Sequence, residues 1–493
     1  MHIANGLRAM LWALAAARAC PASAGRAAEL PAEIRVDCSR SAGAIRPLHG
    51  VNNGPLNCGE TIDVSTQYKE LAVPLARLHD SEFPDPDVVD MHAVFPDLRA
   101  DPEKPESYRF ALTDTYIEAI VKAGTGIVYR LGESIEHRPK KRFVIPPADF
   151  DRWAGASIGI IRHYNDGWAG GSRYAIRYWE IWNEPENRPA MWTGSDDDYY
   201  RLYATAAKAI KARFPDLKVG GPAVGATGDV VDAELRATPF LEGLLKCSRE
   251  RGAPLDFFSW HTYTNDPSLY VVKARAVRRW LDANGFAAAE SHLNEWNYLP
   301  DNDWTPLLGA DRGRERERWY ARMGGAEGAA FVACVLAHLQ DSPVDVANLY
   351  SGDSSPFGLF TRHGMPKKSF YAVKAFRGLL ETPRRVAADV ASADGFGADG
   401  AAPCAIAACA GTNAEKSQVN VLVSNLRASG EATTIVVDAI PWEGPRHFRV
   451  LRLDAERDLE TVAEGSTRER ALRIKVKVPA PSVLLLRIRA AAP

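Results

Sequence analysis

The chain has 493 residues, 46% of them hydrophobic, enough to bury at least one large core, and at roughly 100–200 residues per domain it is expected to hold two or three domains. Lys and Arg total 60 against 62 for Asp and Glu, which leaves no basic field for nucleic acid or for an anionic membrane surface. Beyond the N-terminus no stretch approaches the roughly 20 apolar residues of a membrane-spanning helix, so neither nucleic acid nor membrane is an expected partner.

The chain opens with Arg8, an apolar run from Ala9 to Ala17, and Pro21-Ala22-Ser23-Ala24. These read as the n-region, h-region and A-x-A cleavage site of a signal peptide over residues 1–24, which implies a secreted or periplasmic protein. Arg18 interrupts the approach to the cleavage site, and a disordered extension is the alternative. Cleavage after Ala24 removes Cys20 and leaves Cys38, Cys58, Cys247, Cys334, Cys404 and Cys409, compatible with up to three bridges. Cys404 and Cys409 are close enough in sequence for a local bridge, whereas Cys334 lies in an apolar helical pattern that favours a buried thiol.

From residue 47 to residue 382, short β-branched or apolar runs alternate with helical patterns, which predicts a parallel α/β sheet. The runs are Pro47–Asn52, Val73–His79, Gly126–Leu131, Arg177–Trp182, Leu217–Gly221, Phe257–His261, Ser291–Glu295 and Val346–Tyr350. Eight strand–helix repeats imply a closed (β/α)8 TIM barrel. Helices are predicted over Thr113–Lys122, after a cap at Ser195, over Leu241–Arg251 and over Tyr270–Asn284. From residue 383 to residue 493 the pattern changes to alternating strands, Gln418–Ser424, Thr433–Val437, His447–Leu453, Leu472–Val478 and Val483–Arg489, which read as an accessory β-sandwich. The early strand Glu33–Cys38, in residues 25–46, can join that sandwich, and the Ala/Gly-rich stretch from Val390 to Ala402 reads as a loop.

Active sites of such barrels lie at the carboxyl ends of the strands. Two glutamates stand there: Glu184 in Trp182-Asn183-Glu184-Pro185 after the fourth run, and Glu295 in Asn294-Glu295-Trp296 at the end of the seventh. A strand-end glutamate is ordinarily a surface charge or an ion-pair partner. These two lie among aromatic and amide residues, which suit a sugar's apolar faces and hydroxyls. Cleaving a glycosidic bond needs one carboxyl to protonate the leaving oxygen and another to attack the anomeric carbon or activate water.

The ordered set Gly50-Val51-Asn52-Asn53-Gly54-Pro55, Arg77-x-His79, Trp182-Asn183-Glu184-Pro185, Gly220-Gly221-Pro222, His261-x-Tyr263 and Asn294-Glu295-Trp296 resembles glycoside hydrolase family 39, a family of retaining barrel glycosidases. The resemblance implies that Glu184 is the acid/base and Glu295 the nucleophile of a double displacement through a covalent glycosyl-enzyme. It implies a carbohydrate substrate and allows a homo-oligomer. It also implies that Asn183 donates to the sugar 2-hydroxyl, that Tyr263 holds the nucleophile, that His261 lies near the same strand end, and that Arg77 and His79 border the glycone subsite. For Arg77 and His79 the alternative is an internal salt-bridge network with Glu180. Trp296, with Trp192, Trp304 and Tyr298, is a candidate for stacking on sugar; loop packing is the alternative.

Two departures bear on specificity. Tyr350 stands where the clan commonly has a tryptophan at the floor of the sugar subsite, and strand three carries Arg130-Leu131-Gly132-Glu133 where xylosidase-like relatives resemble Glu-Leu-Gly. β-Xylosidase is the default activity of the family resembled, so a β-xylosidase-like activity is the leading expectation, and the two departures count against a plain xylosidase. α-L-iduronidase, arabinosidase and exopolysaccharide endoglycosidase remain alternatives, as does a non-catalytic carbohydrate-binding barrel. Arg362 is a candidate partner for a substrate carboxylate. No cofactor and no metal are expected: His49, His79 and His261 are dispersed over strands one, two and six, with no HxH pair.

Overall fold

The computed structural model describes residues 29–309, 311–390 and 406–491. The signal-peptide segment, Cys20, Cys404 and nearly all of the Val390–Ala402 loop lie outside them. Strands Gly50–Asn52, Leu75–Arg77, Gly126–Leu131, Tyr178–Ile181, Lys218–Val224, Phe257–Thr264, Glu290–Tyr298 and Val346–Leu349 close into a barrel, each parallel to its neighbours in chain order and the last pairing with the first. All eight predicted runs are barrel strands.

Helix ends follow local chemistry. Ser195 and Asp198 form a reciprocal capping box that starts Asp196–Arg213, and three aspartates in its first turn complement the helix dipole. Thr238 caps Pro239–Arg251, with proline at the first helical position, where no N–H is needed. Among the described residues no helix is long and apolar enough to cross a membrane.

The barrel's interior changes character along its axis. Low in the barrel, Phe257 and His292 stack with ring centroids 4.3 Å apart, and Tyr178 meets Phe257 edge-on at 5.8 Å. Towards the carboxyl ends of the strands the filling becomes charged: Arg77, Arg130 and Glu180 are fully buried there. A buried charge is tolerated only when paired, so this layer must be an ion-pair network.

Nine further strands form one mostly antiparallel sheet, and the other four described strands pair as two short antiparallel ribbons, Leu56–Asn57 with Ile62–Asp63 and Gly228–Val231 with Glu234–Ala237. Strand Glu33–Ala44 sits inside the nine-stranded sheet, antiparallel to Arg384–Val390 and parallel to Ala432–Asp438. Side chains alternate between two cores, as the two-residue period requires. Val419, Val421, Val423, Leu484 and Leu486 join Ile34, Ile435 and Val437 in a core of the sheet's own, whereas Leu422, Val483 and Leu485 face the barrel's helices. Between sheet and barrel lies helix Ala326–His338, buried from Gly328 to Ala337 and including Cys334, which is why its sequence is apolar on every side. Ser424 Oγ donates to the Ala330 carbonyl (2.6 Å) and Asn420 Nδ2 to that of Gly378 (2.7 Å), fixing the sheet on the barrel. Cys409 is a thiol, pushed up to about 11 by burial, and Cys38, Cys58 and Cys247 are likewise outside any disulfide.

Candidate active site

Arg77 is the hub. Its side chain has no exposed surface, and each guanidinium nitrogen is directed: Nε to Glu180 Oε2 (2.6 Å), Nη1 to Glu295 Oε1 (3.0 Å) and Asn52 Oδ1 (3.1 Å), Nη2 to Asn183 Oδ1 (2.6 Å). Burial alone would lower its affinity for a proton; the charges of Glu180 and Glu295 reverse that and raise it. The internal network with Glu180 and the link to Glu295 and Asn183 are therefore one structure. Arg77 has no exposed surface and donates to both Asn183 and Glu295, so the ion-pair network given as its alternative role is present.

Glu295 lies at an irregularity in strand seven. Strand six pairs Trp260 with Leu293 and then His261 with Glu295, so Asn294 is an extra residue. Such a bulge re-aims side chains. Asn294 Nδ2 donates to Glu180 Oε1 (2.5 Å), Glu295 reaches Arg77, and Tyr263 donates its hydroxyl to Glu295 Oε2 (2.8 Å). Burial, with Glu295 beside it, raises the Tyr263 phenol well above its ordinary range, so it stays a donor.

Glu184 is built differently. Trp182 and Glu184 both take left-handed backbone angles (φ +72° and +43°), turning the chain sharply at the end of strand four. Strain of this kind persists where surroundings over-determine it: Trp182 N–H donates to the Leu131 carbonyl (2.7 Å) and Glu184 N–H to that of Ala223 (3.1 Å). Glu184 Oε1 is 2.8 Å from His261 Nδ1 and Oε2 accepts from Asn187 Nδ2 (3.0 Å). Burial holds His261 down to about 4, so a neutral imidazole faces Glu184, and burial raises the Glu184 carboxyl itself.

His261 Nδ1 is also 3.5 Å from Glu295 Oε2, and oxygens of Glu184 and Glu295 lie within 4.8 Å of each other around it. His79 Nε2 lies 3.3 Å from Asn183 Nδ2 and 3.8 Å from Glu295 Oε1, and Tyr350, half-buried, has its ring 6.4 Å from His79. Asn183, His79, His261, Tyr263 and Tyr350 thus gather around the two glutamates.

Trp296 does not. It is buried on the outside of the barrel wall with its ring 5.8 Å from Tyr270, because it follows the bulge on the face opposite Glu295. This corrects its expected place beside the sugar. Trp192 packs edge-on against Trp182, and Tyr298 lies against Phe331, so both are packing residues. Trp304 is different: half-buried and edge-on to Tyr263 at 5.2 Å, it borders the site.

Asp80, Asn187, Glu186 and Gly225 went unread in the sequence. Glu186 Oε1 accepts from the N–H groups of Gly225 (2.7 Å) and Ala226 (3.2 Å); burial, with Glu184 nearby, pushes its carboxyl up to about 8. Gly225 separates the two carboxyls: a Cβ there would lie 2.8 Å from Glu184 Oε1 and 3.3 Å from Glu186 Oε1. Gly225→Ala is expected to displace Glu184 by a fraction of an ångström and lower kcat/KM by up to about 100-fold while the melting temperature holds, since misplacement of about 1 Å has that cost. Unchanged kinetics would remove the wedge role.

Glu184, His261 and Glu295 each offer an atom to a shared point, as do Asp90, His92 and Glu133. In the first group Arg77 already supplies positive charge 3.0 Å from Glu295. In the second, Nδ1 of His92 bonds Glu133 (2.5 Å), Nε2 faces Asp87 (3.3 Å), and Arg130 engages Asp90 (2.5 Å), which makes it an ion-pair network.

The sequence profile described as "Glycosyl hydrolases family 39" matches residues 86–277. A beta-xylosidase of Geobacillus stearothermophilus is 25% identical over 326 residues, covering 58% of this chain and 59% of that protein. A beta-xylosidase of Caldicellulosiruptor saccharolyticus is 26% identical over 304 residues, covering 54% and 56%. The match thus spans little more than half the length of these curated relatives. Among solved structures, a glucosidase from Croceicoccus marinus superposes with a TM-score of 0.78 at 24% identity, covering 94% of this chain and 100% of that one. A monomeric beta-xylosidase from Caulobacter crescentus CB15 gives 0.67 at 18%, covering 93% and 100%. At these identities the structural likeness is one of fold. The resemblance read from the ordered motifs is borne out: over residues 86–277 this chain carries the sequence pattern of glycosyl hydrolases family 39, on a barrel shared with enzymes of that family.

Proposed function

We propose that this protein is a retaining glycoside hydrolase that cleaves O-glycosidic bonds of a carbohydrate substrate by double displacement, with Glu184 as acid/base and Glu295 as nucleophile. The observation that carries the reading is the close approach of the two carboxylates, one oxygen of Glu184 lying within 4.8 Å of one oxygen of Glu295. Retention uses a separation of about 5–5.5 Å, whereas inversion needs about 6.5–9.5 Å to admit a water. The unequal surroundings support the division of roles. Glu184, raised by burial and facing a neutral histidine, is suited to hold a proton. Glu295, between Arg77 and the Tyr263 hydroxyl, is suited to attack as an anion. Asn183, fixed through Oδ1 by Arg77, keeps its amide N–H for the sugar 2-hydroxyl.

The named activity of the curated relatives favours a β-xyloside as substrate. Export is proposed with it, on the Arg8, Ala9–Ala17 and Ala22-Ser23-Ala24 pattern. The test is a panel of aryl glycosides (xyloside, arabinosides, glucoside, galactoside, iduronide) followed by NMR of the first-formed anomer. The retained anomer is expected; the inverted one rejects double displacement. In the same assay kcat/KM should fall as pH rises through the raised pKa of Glu184, because the acid works only while protonated. That limb should fade with a dinitrophenyl leaving group, which needs no protonation.

A further inference from the structure

We propose that Asp80 is a specificity-determining residue that receives hydroxyl groups of the glycone and makes the subsite one for neutral sugars, closed to uronides. The inference rests on the hydrolase reading and names its substrate class.

Asp80 follows His79 at the end of strand two with a left-handed backbone (φ +45°), a conformation that costs an aspartate stability and tends to persist at working sites. Its carboxylate is aimed from both sides. Oδ1 accepts the Ile135 N–H (3.2 Å), while Oδ2 lies 3.2 Å from His79 Nε2, the atom that also faces Asn183 and Glu295. Yet 19% of the side chain is exposed, unlike its neighbours Arg77 and Arg130, which have none. Asp80 is thus an acid held one imidazole away from the nucleophile, with lone pairs left over for a ligand. Burial, opposed by Arg130 and aided by Asp90 and Glu295, pushes its carboxyl up to about 7.

Neither guanidinium beside it is open to solvent. Arg77 gives its guanidinium to Glu180, Glu295, Asn52 and Asn183. Arg130 is fully buried with Nη2 on Asp90 and Ser134; Nε and Nη1 have no hydrogen-bond partner, but neither reaches solvent. Arg362, the cation expected from the sequence, is exposed, and its charge acts on Glu82. A sugar carboxylate placed beside His79 would meet Asp80 and Glu295, and among the described residues neither Arg77 nor Arg130 has exposed surface with which to receive it. A neutral polyol would meet acceptors.

The experiment compares the wild type and Asp80→Ala on the preferred 4-nitrophenyl glycoside, its 3-deoxy and 4-deoxy analogues, and the matching 4-nitrophenyl uronide. Asp80→Asn runs in parallel as the isosteric variant, and circular dichroism reports folding. For the wild type, at least one deoxy analogue is expected to lose about 30-fold in kcat/KM, as loss of a hydrogen bond to a charged group implies. Asp80→Ala should lose about the same on the parent and show almost no further deoxy penalty, a coupling that a structural role would not produce. A deoxy penalty as large in the variants as in the wild type overturns the proposal, as does wild-type preference for the uronide. An enzyme active on no glycoside fails the hydrolase reading itself.

Discussion

Glu295→Gly is expected to lose at least about 10⁴-fold in turnover of an aryl glycoside, about 5.5 kcal/mol of barrier, because the proposed displacement then lacks its nucleophile. Azide should restore a measurable rate by occupying the vacated space, giving the glycosyl azide of inverted configuration. Glu184→Ala should behave otherwise. With an activated leaving group the glycosyl-enzyme still forms, and azide, no longer repelled by an anion, attacks it to give the retained product. The two products, distinguished by NMR, assign the two glutamates separately: swapped configurations would exchange the roles, and an unimpaired Glu295→Gly would eliminate the nucleophile. The expectation depends on geometry already described. Glu295 is held by a cation and a phenol, whereas Glu184 is held by a neutral imidazole and an amide.

Arg77→Met should cost about 3–5 kcal/mol of folding stability, the usual cost of stripping one partner from a buried ion pair. It strands Glu180, which has no exposed surface, together with Glu295. Replacing Glu180 by leucine in the same chain removes one stranded charge and should recover part of that stability. Activity should not return, because Glu295 and Asn183 lose their anchor in both variants. Urea unfolding and kcat/KM on one protein preparation read the two quantities independently. Recovery of activity along with stability would reduce Arg77 to a purely structural role.

Both glutamates and the eight-fold repeat were legible because their signals are local: alternating strand and helix patterns, and carboxylates at strand ends. Helix starts were legible for the same reason, since Ser195 and Asp198 cap within one turn. What escaped depends on contacts between distant segments. Strand Asp458–Thr467 reads poorly because its exposed residues pair only with Arg446–Leu453 and pack little. Strand Ile406–Thr412 is Ala/Gly-rich, with small side chains imposed by close approach to its neighbours, and resembles a loop in sequence. In the site, Asp80 and Gly225 gain meaning only from His79 and from Glu184 and Glu186, which the fold brings to them. Trp296 misled because an aromatic beside a nucleophile invites a sugar, while the strand's pleat turns it to the opposite face.

The place of strand Glu33–Ala44 bears on how the molecule is assembled during synthesis. Its partners, Arg384–Val390 and Ala432–Asp438, are made only after the whole barrel. At about 5–20 residues per second, the ribosome leaves this strand waiting for tens of seconds. An unpaired strand is a template for the wrong partner. The outward row of this one, Arg35, Asp37 and Ser39, is polar, so the nascent chain presents charge rather than a second sticky face until its neighbours arrive. The barrel can close first, and the late strands then stitch the two ends of the polypeptide together over it.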